Sequence, residues 1–150
     1  MNETSTINNF IIALFDGNKL VNTISIVPTN SLNLNKGTIL PLVNIDMLSI
    51  DVQLDVLVYE FKITVIQQRD IKPKKTDSKL LGDSNYLDNI NETTSIAQRF
   101  INVLTHQNND ENIEIVSQTD LNVLKNWRGD GLDGVQFTIE LSIPNIGTSC

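Results

Sequence analysis

A single histidine, a single cysteine and one Arg-Gly-Asp tripeptide are the residues of this chain that first invite a chemical reading. His106 falls at the end of a helical pattern, where a cation complements the helix dipole. One histidine with no cysteine nearby does not make a metal site, and it does not define a nucleophile–base pair. Arg128-Gly129-Asp130 would be an adhesion motif in a functional reading. Three-residue matches arise readily by chance, and this one stands in a glycine-rich turn ahead of a strand, so it reads as a turn. Asp130-Gly131-Leu132-Asp133-Gly134 suggests calcium, but the twelve-position loop of alternating oxygen donors with its closing Glu is absent. Two glycines after aspartates more simply make turns with positive φ. There is no Walker loop, GxGxxG or GxSxG. Asp46, Asp51, Asp55 and Glu60 are spaced along strands in no pattern that pairs them, and such pairs form only in the fold. The expectation is no enzyme, no cofactor and no metal.

Charge narrows the partners. The formal net charge is -7, which excludes a chain that binds nucleic acid through its overall electrostatics. An acidic surface suits a channel wall past which DNA slides without sticking, although solubility is the simpler reading. Lys72, Lys74, Lys75 and Lys79 form the one basic cluster. They read as a solvated loop tip rather than a phosphate or acidic-partner contact, since no aromatic accompanies them for base stacking. A lone thiol, Cys150, excludes an internal disulfide framework and a Cys-based zinc site. The first residues carry no basic n-region, and no apolar run approaches the roughly 18 residues of a membrane span. The expectation is a chain that folds in a cytoplasm with no anchor.

The elements that must position these residues show as periodicities. In residues 57–65, Leu57, Tyr59, Phe61, Ile63 and Val65 alternate with Glu60, Lys62 and Thr64. A period of two puts one face on a core, and the β-branched and aromatic content supports a strand. This predicts the central strand of a small antiparallel sheet. Val135, Phe137, Ile139, Leu141 and Ile143 alternate just as cleanly until Pro144. Further strands are predicted at residues 20–27, 47–56 and 113–117. At Val56-Leu57 the apolar phase slips by one, which requires either a bulge or a strand boundary. Residues 120–127 read as a connection.

A first helix is predicted from a cap at Ser5 or Thr6 through Ile7, Phe10, Ile11 and Leu14, closed by Gly17. A second runs from a cap at Ser84 through Leu87, Ile90, Thr94, Ala97, Phe100 or Ile101, and Leu104 to about His106. Residues 29–46 form an excursion with a short strand near 38–42. Its Leu32, Leu34, Ile39, Leu40, Leu42 and Val43 argue against disorder, and they bury either against a neighbouring subunit or over the domain's own core. Residues 71–84 are a polar loop, and 146–150 a polar tail. The whole reads as one α+β domain: a mainly antiparallel sheet of four to five strands with two helices packed on it.

Four pieces of the second half carry a resemblance. They are the strand from Tyr59 to Ile66 before a polar loop, the helix that begins after Asn85, the short strand at 113–116, and the run from Gly131 through Leu132-Asp133-Gly134-Val135 to Pro144. Together they make residues 57–150 similar to the tail-terminator (tail-completion) and related neck-ring proteins of tailed bacteriophages. In those proteins a Leu-x-Gly-aromatic turn leads into a last amphipathic strand ending in Pro. Here Val135 stands where an aromatic is common. The resemblance extends to neck proteins of gut crAss-like podoviruses, partly through the terminal Cys150.

The resemblance implies a tail-terminator-like fold and a virion protein assembled in the host cytoplasm. It implies a hexameric or dodecameric ring that joins the head connector to the tail and touches other connector, neck or tail proteins. DNA would pass through without sequence-specific binding, no membrane would be involved, and no catalytic residue carries over. Expected assembly contacts are Leu32, Leu34, Ile39 and Leu40 in the excursion, Lys72, Lys74, Lys75 and Lys79 in the loop, and Ile146 and Cys150 in the tail. The alternatives are a small cytoplasmic adaptor that recognises an acidic or peptide partner through the lysines, and an enzyme of unknown chemistry.

Overall fold

A computed structural model of the chain describes residues 3–34, 38–69, 85–106 and 112–145. Its elements are helix α1 (Glu3–Asp16), strand β1 (Thr23–Ser25), a 3-10 turn (Thr29–Ser31), β2 (Leu42–Val52), β3 (Val56–Gln68), α2 (Tyr86–His106), β4 (Glu114–Gln118), β5 (Asn122–Trp127) and β6 (Leu132–Pro144). The sheet order is β1-β2-β3-β6-β4, with β5 also on β6. β3 is central, as its alternation predicts. It is antiparallel to β2 and, over its full length, to β6.

Register explains the core. Tyr59, Phe61, Ile63 and Val65 of β3 face Leu141, Ile139, Phe137 and Val135 of β6, so the odd-numbered residues of both strands line one face. Both helices pack on that face. α1 contributes Ile7, Ile11 and Phe15, and α2 contributes Ile96, Ala97, Phe100 and Leu104. Phe15 and Phe100 stack at 4.3 Å between the helices. Each buried Ile, Leu or Phe among them stabilises the fold by roughly 1.5–3 kcal/mol.

The second face of the sheet is divided. At the end where β3 finishes, the chain following β1 covers it, and Leu32 packs with Leu42, Ile66 and Leu132 in a separate apolar cluster. Leu34, Leu40, Leu124 and Trp127 flank that cluster. Over the rest of this face lie the half-buried Glu60, Lys62, Thr138, Glu140 and Ser142.

Several expectations are corrected. The sheet has six strands and is mixed, because β1 pairs with β2 in parallel. Residues 120–127 are not a plain connection but contain β5, whose alternation is broken by a register shift between Leu124 and Trp127. β1 keeps only three residues of the predicted 20–27. No strand occupies 38–41, and β2 starts at Leu42 after a cis Leu40–Pro41 bond. The phase slip at Val56 is a strand boundary, since the turn between β2 and β3 ends there, and a separate bulge sits between Met47 and Ser49. Ser5 and Thr6 lie inside α1 rather than capping it. Gly17 is not in the left-handed region; instead buried Asn18 shapes the exit by accepting the Leu20 N–H at 3.0 Å. The expected cap Ser84 lies outside the described residues.

Candidate functional site

The end of the sheet where β3 stops gathers the polar side chains. Arg69 follows β3, and its Nε and Nη2 donate to the two carboxylate oxygens of Asp133 at 2.9 and 2.7 Å. Asp133 is fully buried, while a third of the Arg69 side chain remains exposed. Asp133 also accepts the Asn126 N–H at 3.1 Å. Burial pushes the Asp133 carboxyl up, but the Arg69 hydrogen bonds, the Asn126 amide, the guanidinium charge and Asn89 together hold it below its usual range. Its hydrogen bonds to Asp133 raise the Arg69 pKa against the opposing effect of desolvation. Tyr86, in the first turn of α2, lies under both Arg69 and Lys125, 5.4 and 5.7 Å from its ring centre.

The same end holds the chain on either side of residues 70–84. Asn89 donates to the Gln68 carbonyl at 2.9 Å, and Asn85 reaches the same oxygen at 3.3 Å. Asn89 and Thr93 therefore begin the buried stripe of α2, while the expected Leu87 is 72% exposed. The buried positions Asn89 and Thr93 precede the expected Ile90 and Thr94 by one residue, and an apolar period does not reveal them because Asn89 and Thr93 are polar.

The β5–β6 turn uses the Arg-Gly-Asp tripeptide structurally. Asn126, Arg128, Gly129 and Gly131 all have positive φ, and the Gly131 N–H donates to Asn126 Oδ1 at 2.7 Å. Arg128 lies over the Trp127 ring at 4.2 Å and donates to the carbonyls of Leu32 and Thr29. Its guanidinium is thereby engaged by the excursion. Gly131 adopts the positive φ expected of it, but Gly134 does not. Gly134 sits inside β6, where a Cβ would lie 1.9 Å from the Val65 carbonyl oxygen. A cleft of about 550 Å³ separates the excursion from this turn, with Leu34, Leu40, Trp127 and Leu132 among its walls.

The other expected contact residues scatter. Leu32 is buried, Leu34 and Leu40 are half-buried beside it, and Ile39 is 64% exposed. Three of the four thus pack on the chain's own second cluster. Lys72, Lys74, Lys75, Lys79, Ile146 and Cys150 lie outside the described residues. His106 is the exposed last residue of α2. Asp46 accepts the N–H and hydroxyl of Thr29 at 2.9 and 2.8 Å, and Glu60 accepts the Ser49 hydroxyl at 3.1 Å. Among the described residues no three His, Cys, Asp or Glu side chains come together to hold a metal, and no helix is long and apolar enough to cross a membrane.

One feature of the surface was not expected from the sequence. The β2–β3 hairpin carries exposed Leu48, Ile50, Val52 and Leu54, the last two 71% and 80% exposed. The strand expected over 47–56 thus ends in a hairpin whose apolar side chains face solvent, and nothing in the local period distinguishes that from a buried face. No protein-family model matches the chain, and a comparison with curated proteins finds no match either.

Proposed function

We propose that this chain is a structural subunit of a tailed-bacteriophage particle, a tail-terminator or neck protein that forms a ring between head connector and tail around the DNA channel. The observation that carries the self-associating part of this reading is the β2–β3 hairpin, which places four large exposed apolar side chains, Leu48, Ile50, Val52 and Leu54, within seven residues. The phage assignment rests on the resemblance of residues 57–150. Charge is compatible with it: a net -7 discourages adhesion to passing DNA. Head-to-tail contacts between copies close a ring when the rotation per subunit divides a full turn.

The test is size and shape. Light scattering and negative-stain imaging of the purified chain should give discrete rings. A chain that stays solitary at high concentration removes the proposal. Deleting residues 72–83 should leave the monomer folded and block assembly; unchanged assembly counts against a role for that segment in the ring.

A further inference from the structure

One edge of the sheet is only partly flanked by a described strand, and the Thr29 turn reaches it at Asp46. β1 pairs only with Leu42, Val43 and Asn44 of β2. Residues 45–52 pair with β3 on one side, and no described strand lies on the other. Exposed edges normally carry Lys, Pro or strong bulges that prevent another strand from adding. This one reads Ile-Asp-Met-Leu-Ser-Ile-Asp-Val, with a single bulge at Leu48 and neither Lys nor Pro. Its Leu48, Ile50 and Val52 are 46%, 45% and 71% exposed. An open row of backbone donors and acceptors flanked by apolar side chains accepts an extended strand.

Charge identifies the strand. Residues 45–52 carry Asp46 and Asp51 and no cation. At the opposite edge, β5 carries Lys125, is followed directly by Arg128, and contains no anion over 122–128. β5 is paired on one side only, to β6, and its Val123 is 49% exposed. Asp46 is already held by Thr29, and Arg128 by the carbonyls of Leu32 and Thr29, which leaves exposed Asp51 and Lys125. Two β2 edges would bring like carboxylates together, and two β5 edges like ammonium groups. Only the unlike pairing cancels charge while it joins apolar side chains.

We propose that β5 of a second copy adds to the free edge of β2, so that the sheet continues head to tail from copy to copy. This deepens the self-assembly reading and rests on it. Sheet twist turns each copy relative to the last, which is the rotation a closed ring or an open helix requires. β5 lies level with the N-terminal half of β6, and the free part of β2 lies level with the C-terminal half. Successive copies are therefore offset along the strand direction, and closure needs strands inclined to the ring axis.

The experiment is a charge swap on the full chain, read by sedimentation velocity. Asp51→Lys and Lys125→Glu should each weaken association by about tenfold or more, and an equimolar mixture of the two should restore it. Lys125→Arg should associate like the parent chain, and circular dichroism should show all variants folded. Recovery on mixing separates a lost contact from a lost fold. Lys125→Glu that associates normally overturns the proposal, and so does Asp51→Lys that associates more tightly, the sign of a β2–β2 contact. A parent chain that assembles while both swaps have no effect removes this edge contact and leaves the ring reading standing. A parent chain that never associates removes both.

Discussion

Arg69 and Asp133 meet through two hydrogen bonds, 2.9 and 2.7 Å, that tie the end of β3 to the start of β6. The carboxylate has no solvent of its own, and the guanidinium is its main counter-charge. Arg69→Ala leaves a buried charge with only amide partners. A loss of about 2–3 kcal/mol is expected from urea unfolding, below the full value for a buried pair because Arg69 is partly exposed. Arg69→Lys should recover only part of this, because a single ammonium cannot reproduce the bidentate geometry.

The same pair sets a pH dependence. Asp133 is held below its usual carboxyl range in the folded chain. As pH falls, the unfolded chain takes up this proton first, at about pH 4, and the native state follows only at lower pH. The contribution of the pair is therefore present above about pH 4 and is lost as pH falls through the native value. Asp133→Asn should flatten this part of the acid limb in a series of unfolding curves between roughly pH 2 and 5.

Gly134 has the least room for a side chain of the described glycines. A Cβ there would lie 1.9 Å from the Val65 carbonyl oxygen and 3.0 Å from the Ile66 Cα, both main-chain atoms of the neighbouring strand. Gly134→Ala must push β6 away from β3 near one end of their ladder. A loss of about 3 kcal/mol or more is expected by denaturant titration. Gly131→Ala meets only the end of the Gln68 side chain but keeps a φ of +69°, so about 1 kcal/mol is expected.

Leu32 and Ile39 separate packing from exposure within the excursion. Leu32 is 7% exposed in a cluster with Leu42, Ile66 and Leu132, and Ile39 is 64% exposed. Leu32→Ala should lower monomer stability by about 2–4 kcal/mol, while Ile39→Ala should stay within about 0.5 kcal/mol. Thermal unfolding under dilute conditions checks both.

The strands readable from the sequence are those with one buried face. β3 and β6 alternate because helices cover one side and a largely polar surface the other. β2 starts with four consecutive buried residues, Leu42 to Ile45. Val43 and Ile45 join the main core, Leu42 joins the second cluster, and Asn44 bonds Ser25 and the Val27 backbone. Cover on both faces erases the period of two, so alternation becomes legible only from residue 47, five residues after the strand begins. β5 leaves no period for the opposite reason, since it is half-exposed and its ladder is broken. The polar cluster around Asp133 left only a weak trace: a local reading of Asp-Gly gives a turn, and its partner Arg69 is distant in sequence.

The Gln68 carbonyl receives side chains from both Asn85 and Asn89, so the chain leaves the sheet and returns to it at one bound spot. The chain on either side of residues 70–84 is held together through contacts that those residues do not themselves make. The site is thus a natural place to graft a reporter peptide, with the grafted chain expected to melt within a few degrees of its parent.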